Sequence, residues 1–194
     1  MRQSSINAIV AGLEREPDRE RSSPAGAMTI AFTDIEGSTV MVEQLGDQRW
    51  LEVLRVHNWI VRDRLRDFDG TEVKHQGDGF MLAFTSARTA LRFAVELQRS
   101  FAEQARSKPE YSVIVRIGMH SGFVIREGDD YIGRDVIVAA RIADLASGGE
   151  ILVSRALRDY GASEPGLEFG PAREVDLRGL SQPQAICALI WSGD

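Results

Sequence analysis

The sequence predicts an α+β domain in which a mixed or antiparallel sheet is covered by helices. Two observations carry this. Short runs with period-two alternation of apolar residues recur along the chain, and stretches with apolar residues three and four apart separate them. Their order is strand, helices, hairpin, helix, hairpin, helix and closing strands, which lacks the strict βαβ alternation of a doubly wound parallel sheet.

Residues 4 to 16 have weak helical character, and "PDRERSSPAG" after them predicts a linker over 17–26. The chain is therefore expected to divide into an N-terminal extension over 1–26 and one domain over 27–194, organised from near Met28. "MTIAFTDI" sets Ile30, Phe32 and Asp34 on one face of a strand and Ala31, Thr33 and Ile35 on the other. Ser38 or Thr39 is expected to cap the next helix. Trp50, Leu54, Val61, Leu65 and Phe68 form its apolar stripe, with a break near Gly46. "FDGTEVKHQGDGFMLAF" predicts a hairpin whose Gly-first turn, Gly77 and Asp78, pairs Gln76 with Gly79 and Lys74 with Met81.

A second helix carries Ala87, Ala90, Leu91, Ala94, Leu97 and Phe101 on one face. "YSVIVRIGMHSGFVI" predicts two short strands meeting at a turn at Ser121 and Gly122. A helix over about 134–146 is expected to end at a cap made by Gly148 and Gly149. "EILVS", a short helix and strands around 172–175 and 185–191 close the domain.

With 194 residues, 43% hydrophobic and 27% charged, the chain suits one globular domain. It has no apolar stretch long enough to span a membrane and no signal-peptide order at its start, so a cytoplasmic location is expected. The net charge of −6 argues against a duplex nucleic-acid binder. An anionic ligand would need local positive charge, which a divalent cation supplies. Cys187, the single cysteine, lies in the apolar run "AICALIW" and reads as core. His57, His75 and His120 lack metal-ligand spacing and read as structural, with His75 nearest a site rim.

Asp34 and Asp78 stand out by setting: one leaves the first strand, the other sits between two glycines on a hairpin tip. If the strands are neighbours, both carboxylates meet at one sheet edge, as hard oxygen ligands for Mg²⁺ or Mn²⁺. Taken singly, each is equally a turn or capping acid. "IEGST" after Asp34 offers N–H groups at a helix start, suited to phosphate.

The motifs "FTDIEGST", "VKHQGDGFMLAF", "VRIGMHSG", "DDYIGRDVIVAARI" and "EILVS", in this order, resemble the catalytic domain of class III nucleotidyl cyclases, bacterial adenylyl cyclases in particular. The likeness runs from about Met28 to Trp191 and implies a ferredoxin-like core. It assigns Asp34, Ile35 and Asp78 to a site for two divalent cations, Mg²⁺ or Mn²⁺, over a triphosphate held by Glu36, Gly37, Ser38 and Thr39. Lys74 and Asp130 match the pair that reads adenine, which favours ATP over GTP. Arg141 matches the arginine that stabilises charge at the α-phosphate, and Arg178 a basic triphosphate contact. One position departs from the family: Ile137 stands where an asparagine usually orients the ribose.

The resemblance implies conversion of ATP to 3′,5′-cyclic AMP and pyrophosphate. It also implies a head-to-tail homodimer, because the metal aspartates act with the adenine pair and arginine of the other subunit. Residues 1–26 are then a candidate for influencing dimerisation. Ile137 keeps open a nucleotide-binding regulatory dimer with weak or no catalysis. A guanylyl cyclase is disfavoured by Lys74 and Asp130, and a polymerase-like or phosphodiesterase domain stands further back. Ordinary roles also exist: Lys74 as a strand lysine, Asp130 as a turn acid, and Arg141 paired with Asp144 along its helix.

Overall fold

The computed structural model describes residues 5–11 and 22–192. Nine strands among them form a mixed sheet in the order β2-β3-β1-β4-β6-β9-β7, with β5 on β4 and β8 on β9. They are β1 (Ser22–Ile35), β2 (Thr71–Gln76), β3 (Gly79–Phe84), β4 (Val115–Glu127), β5 (Asp130–Ile132), β6 (Ile151–Ser154), β7 (Glu168–Phe169), β8 (Arg173–Val175) and β9 (Gln184–Ile190). The helices are α1 (Ser5–Ala11), α2 (Ser38–Asp67), α3 (Ala87–Ser107), α4 (Arg134–Leu145) and α5 (Arg155–Gly161). The expected α+β architecture is present.

Both faces of the sheet are covered, and the alternation in β1 decides which residue goes where. Ala31 and Ile35 join Val61, Leu65, Leu91 and Phe93 in a core beneath α2, α3 and α5. Ile30 and Phe32 join Met81, Val136 and Ala140 in a second core beneath α1 and α4. Asp34, in phase with Ile30 and Phe32, therefore ends β1 on the α1 and α4 side.

The β2–β3 hairpin has the expected register, Lys74 opposite Met81 and Gln76 opposite Gly79. Gly77 has φ 63°, which a side chain would strain and which a Gly-first hairpin turn requires. The helix break at Gly46 is also present.

Four expectations change. First, β1 begins at Ser22, so residues 22–26 belong to a strand beside β4 rather than to a linker, with a register shift between Pro24 and Gly26. Second, β4 is one strand through Ser121 and Gly122, which pair with Thr29 and Met28 of β1. Its glycines serve helix packing: a Cβ at Gly118 would collide with the backbone of Ala143, and one at Gly122 with Asp135. Third, α4 is capped by Ala146, whose N–H donates to the Ala143 carbonyl; Gly149 lies beyond and donates to the Val115 carbonyl. Fourth, Gly37 rather than Ser38 or Thr39 occupies the cap position of α2. The parts of the N-terminal helical and linker expectations over 12–21 lie outside the described residues.

Candidate active site

Asp34 and Asp78 meet. β1 lies between β3 and β4, so the end of β1 and the tip of the β2–β3 hairpin come to one edge. The Ile35 N–H donates to Asp78 Oδ2 at 3.2 Å, which ties the turn after Asp34 to the second carboxylate. Both acids are almost fully buried. Burial, then the neighbouring Asp78 charge, push the Asp34 carboxyl up to about 6, against the pull of Arg116.

Arg116 joins the two aspartates without having been singled out by any sequence motif. It stands opposite Asp34 in the β1–β4 ladder and donates to Asp34 Oδ2 from Nη2 at 2.5 Å and from Nε at 3.2 Å. Its Nη1 reaches the Asp144 carbonyl at 3.4 Å. The available signal was an arginine inside the apolar run "VIVRIGM", on the face shared with Asp34 once β1 and β4 are paired.

The set fits a hard divalent cation. Asp34 Oδ1 is buried without a hydrogen-bond partner among the described residues. Two carboxylates converge there, offset in part by Arg116, and oxygen donors of this kind suit Mg²⁺ or Mn²⁺. Ile35 buries its side chain in the α2 and α3 core, so only its backbone can take part. No cluster of three or more His, Cys, Asp or Glu side chains suited to a metal occurs among the described residues. The cradle is thus a two-carboxylate one.

Glu36 to Thr39 follow directly, with the Glu36 N–H bonded to the Ile114 carbonyl and α2 opening at Ser38. The first-turn N–H groups of a helix have no carbonyl four residues back, which leaves them suited to an anion.

Lys74 and Asp130 form an ion pair at 2.6 Å between β2 and β5, the first half-buried and the second more so. Lys74, paired with Met81, lies on the α1 and α4 side of the sheet. Arg141 belongs to that side too. Its Nη1 donates to Asp144 Oδ2 at 3.2 Å and to Asn7 Oδ1 of α1 at 3.0 Å. Ile137 is one turn before it and half-buried.

Arg178 is on an exposed turn after β8, anchored by Leu177 and Leu180 against α4. The fold of a single chain does not bring it to the aspartates, because β6 and β9 intervene. Of the histidines, His57 is buried against Phe101 with ring centroids 5.3 Å apart. His120 Nδ1 lies 2.7 Å from Ser154 Oγ, and His75 packs on Phe80 at 4.3 Å. Cys187 is buried, and burial pushes its thiol up.

Residues 20–190 match the family model described as the adenylate and guanylate cyclase catalytic domain. A protein named adenylate cyclase from Mycosarcoma maydis is 34% identical over 162 residues, covering 71% of this chain and 6% of that protein. The chain thus spans a small fraction of that relative's length. Among solved structures, one from a structural analysis of Trypanosoma brucei adenylate cyclases in their monomeric state aligns with a TM-score of 0.75 at 27% identity, covering 85% of this chain and 88% of that one. The adenylyl cyclase CyaB from P. aeruginosa aligns with a TM-score of 0.79 at 21% identity, covering 89% and 97%, a likeness of fold.

Proposed function

This chain belongs to the adenylate and guanylate cyclase catalytic domain family, and from that premise we propose that it converts ATP to 3′,5′-cyclic AMP and pyrophosphate at sites shared by two copies. The observation that carries the reading is the meeting of Asp34 and Asp78 at one sheet edge, on the side that also bears Lys74 and Arg141. The adenylate cyclase name of its relatives supports ATP as substrate.

Asp34 and Asp78 would hold two divalent cations, Mg²⁺ or Mn²⁺, with the Ile35 backbone as a further oxygen donor. Bound there, the cations supply positive charge that acidifies the ribose 3′-hydroxyl and neutralises the triphosphate. Gly37, Ser38 and Thr39 at the start of α2 would receive phosphate oxygens through their N–H groups, while the Glu36 N–H stays with the Ile114 carbonyl. Arg116, paired with Asp34, would keep a guanidinium at the carboxylates that hold the cations.

Lys74 donates to the ring nitrogen of adenine that is an acceptor, and Asp130 accepts from the exocyclic amine. Guanine reverses both polarities, so a site built to bond adenine leaves buried groups unpaired with GTP. The 3′-hydroxyl attacks the α-phosphate in line as pyrophosphate departs, and its proton passes to solvent. Arg141 meets the charge that develops on the α-phosphate, where its planar fork spans two oxygens.

Asp34 and Asp78 of one copy would act with Lys74, Asp130 and Arg141 of the other. Arg178 has no part in this scheme within one chain. Ile137 offers the ribose no hydrogen bond, which favours a low turnover and is the observation behind a second reading, a nucleotide-binding regulatory dimer. The chain has no described helix long and apolar enough to cross a membrane, and a cytoplasmic setting suits the ATP substrate.

Complementation tests the shared site. Asp78→Ala and Arg141→Ala should each abolish cyclic AMP formation, and mixing them should restore about a quarter of wild-type activity, because half the dimers then hold one intact site. Mixtures as inactive as the parents would remove the shared site.

A further inference from the structure

α1 lies across both halves of the site at once. The Ser5 hydroxyl donates to Asp78 Oδ1. Two residues on, the Asn7 side-chain carbonyl accepts from Arg141 at 3.0 Å. Between and after them Ile6, Ile9 and Val10 are 0%, 3% and 2% exposed, packed in the core that contains Met81 of the hairpin and Val136 and Ala139 of α4. Ser5 sits so close over the hairpin tip that a Cβ on Gly79 would come within 2.7 Å of its own Cβ.

Each contact opposes a step of the proposed reaction. Asp78 gives a lone pair to a hydroxyl where it would bind a cation, and Arg141 is turned toward Asn7 and Asp144 where it would meet the α-phosphate. The apolar side chains of α1 cover the face of the sheet and α4 beside Asp78 and Arg141, which on the shared-site reading is the face a second copy would approach. While α1 is seated, Ser5 occupies one carboxylate oxygen of Asp78 and Asn7 holds Arg141.

We propose that α1 is an intramolecular inhibitor, a removable cover that competes with a second copy of this chain and with metal–ATP for the face carrying Asp78 and Arg141. The inference rests on the reading of that face as a shared cyclase site. A seven-residue helix is too short to persist in water alone, so the seated helix depends on tertiary contacts, among them those of Ile6, Ile9 and Val10 and the polar contacts of Ser5 and Asn7. A ligand that binds only the uncovered face shifts the population toward the open form by mass action. Raising protein concentration, Mn²⁺ and ATP together should then activate the chain more steeply than any one alone.

The test uses the full chain with two sets of substitutions. Ile6→Glu with Ile9→Glu removes the apolar anchor, while Ser5→Ala with Asn7→Ala removes the polar contacts and leaves the core side chains intact. The dimer dissociation constant is read by sedimentation equilibrium and Mn²⁺ affinity by calorimetry, beside cyclic AMP formation from ATP. Release of the cover should tighten both equilibria about tenfold or more in the first set and a few-fold in the second, with cyclic AMP rising in parallel. Dimerisation and Mn²⁺ binding that tighten without product in any variant would uphold the cover and overturn the cyclase reading. Product formation from wild type with neither equilibrium tightened in the Ser5 and Asn7 variant would overturn the cover and leave the cyclase reading intact.

Discussion

Arg116 stands directly across the β1–β4 ladder from Asp34 and donates twice to the same carboxylate oxygen, at 2.5 and 3.2 Å. The pair is nevertheless outweighed, since Asp34 is raised to about 6 by burial and by Asp78. Between its ordinary 3.8 and about 6 the folded chain holds a proton that the unfolded chain has released. The contribution of this group to stability therefore falls as pH rises through that window and remains a cost above it. The full shift corresponds to about 3 kcal/mol.

Asp34→Asn should accordingly stabilise the metal-free protein while abolishing cyclic AMP formation. Urea unfolding with a chelator at about pH 7.5 should show a gain of roughly 1–3 kcal/mol, the lower end reflecting the lost charge partner of Arg116. A lower midpoint would mean that the Arg116 pair outweighs the repulsion and burial.

His57 titrates in the opposite sense. Burial pushes its imidazole down to about 4 from 6.5, partly offset by Asn58, and its Nε2 is buried without a hydrogen-bond partner among the described residues. The unfolded chain takes up a proton below pH 6.5 that the folded chain refuses until about 4, so stability is lost as pH falls through that window, by about 3 kcal/mol at most. His57→Phe should keep the stacking on Phe101 and flatten this loss. The measurement is the difference in unfolding free energy between variant and wild type across pH 7 to about 4.5, which should grow as pH falls; a constant difference would contradict it.

Gly118→Ala tests the packing that positions Arg141. The added methyl would meet the Ala143 nitrogen and Cα, backbone atoms that cannot rotate away. Overpacking of this kind should cost roughly 3 kcal/mol and displace α4, and with it Arg141. Denaturation midpoints together with ATP turnover check both effects, and an unchanged midpoint would show that β4 and α4 separate freely.

These positions also show what was legible in the sequence. The hairpin register could be read because Gly77 and Asp78 leave few ways to close the turn. The two-sided burial of β1 followed from its alternation. Gly122 misled, since a glycine that admits a helix and a glycine that makes a turn look alike until Asp135 is seen against it. Asp34, Asp78, Lys74 and Asp130 were visible by setting or resemblance. Arg116 was not, because its partner is 82 residues away and the β1–β4 register alone places it there. The contacts of α1 were equally hidden, for weak helical periodicity says nothing of what a helix packs against.

Ile137→Asn should raise turnover. Asparagine in place of this half-buried side chain places an amide one turn from Arg141, and on the proposed reading orienting the ribose is worth about tenfold or more in kcat. Initial rates at saturating ATP provide the check; an unchanged kcat would show that the ribose is oriented elsewhere.

The most direct measurement is cyclic AMP formation from ATP with Mn²⁺ and with Mg²⁺, wild type beside Asp78→Ala. The two-carboxylate site predicts product from the wild type with at least one metal and none above background from Asp78→Ala. Equal product from both proteins, or ATP bound by the dimer with no cyclic AMP under either metal, would contradict it.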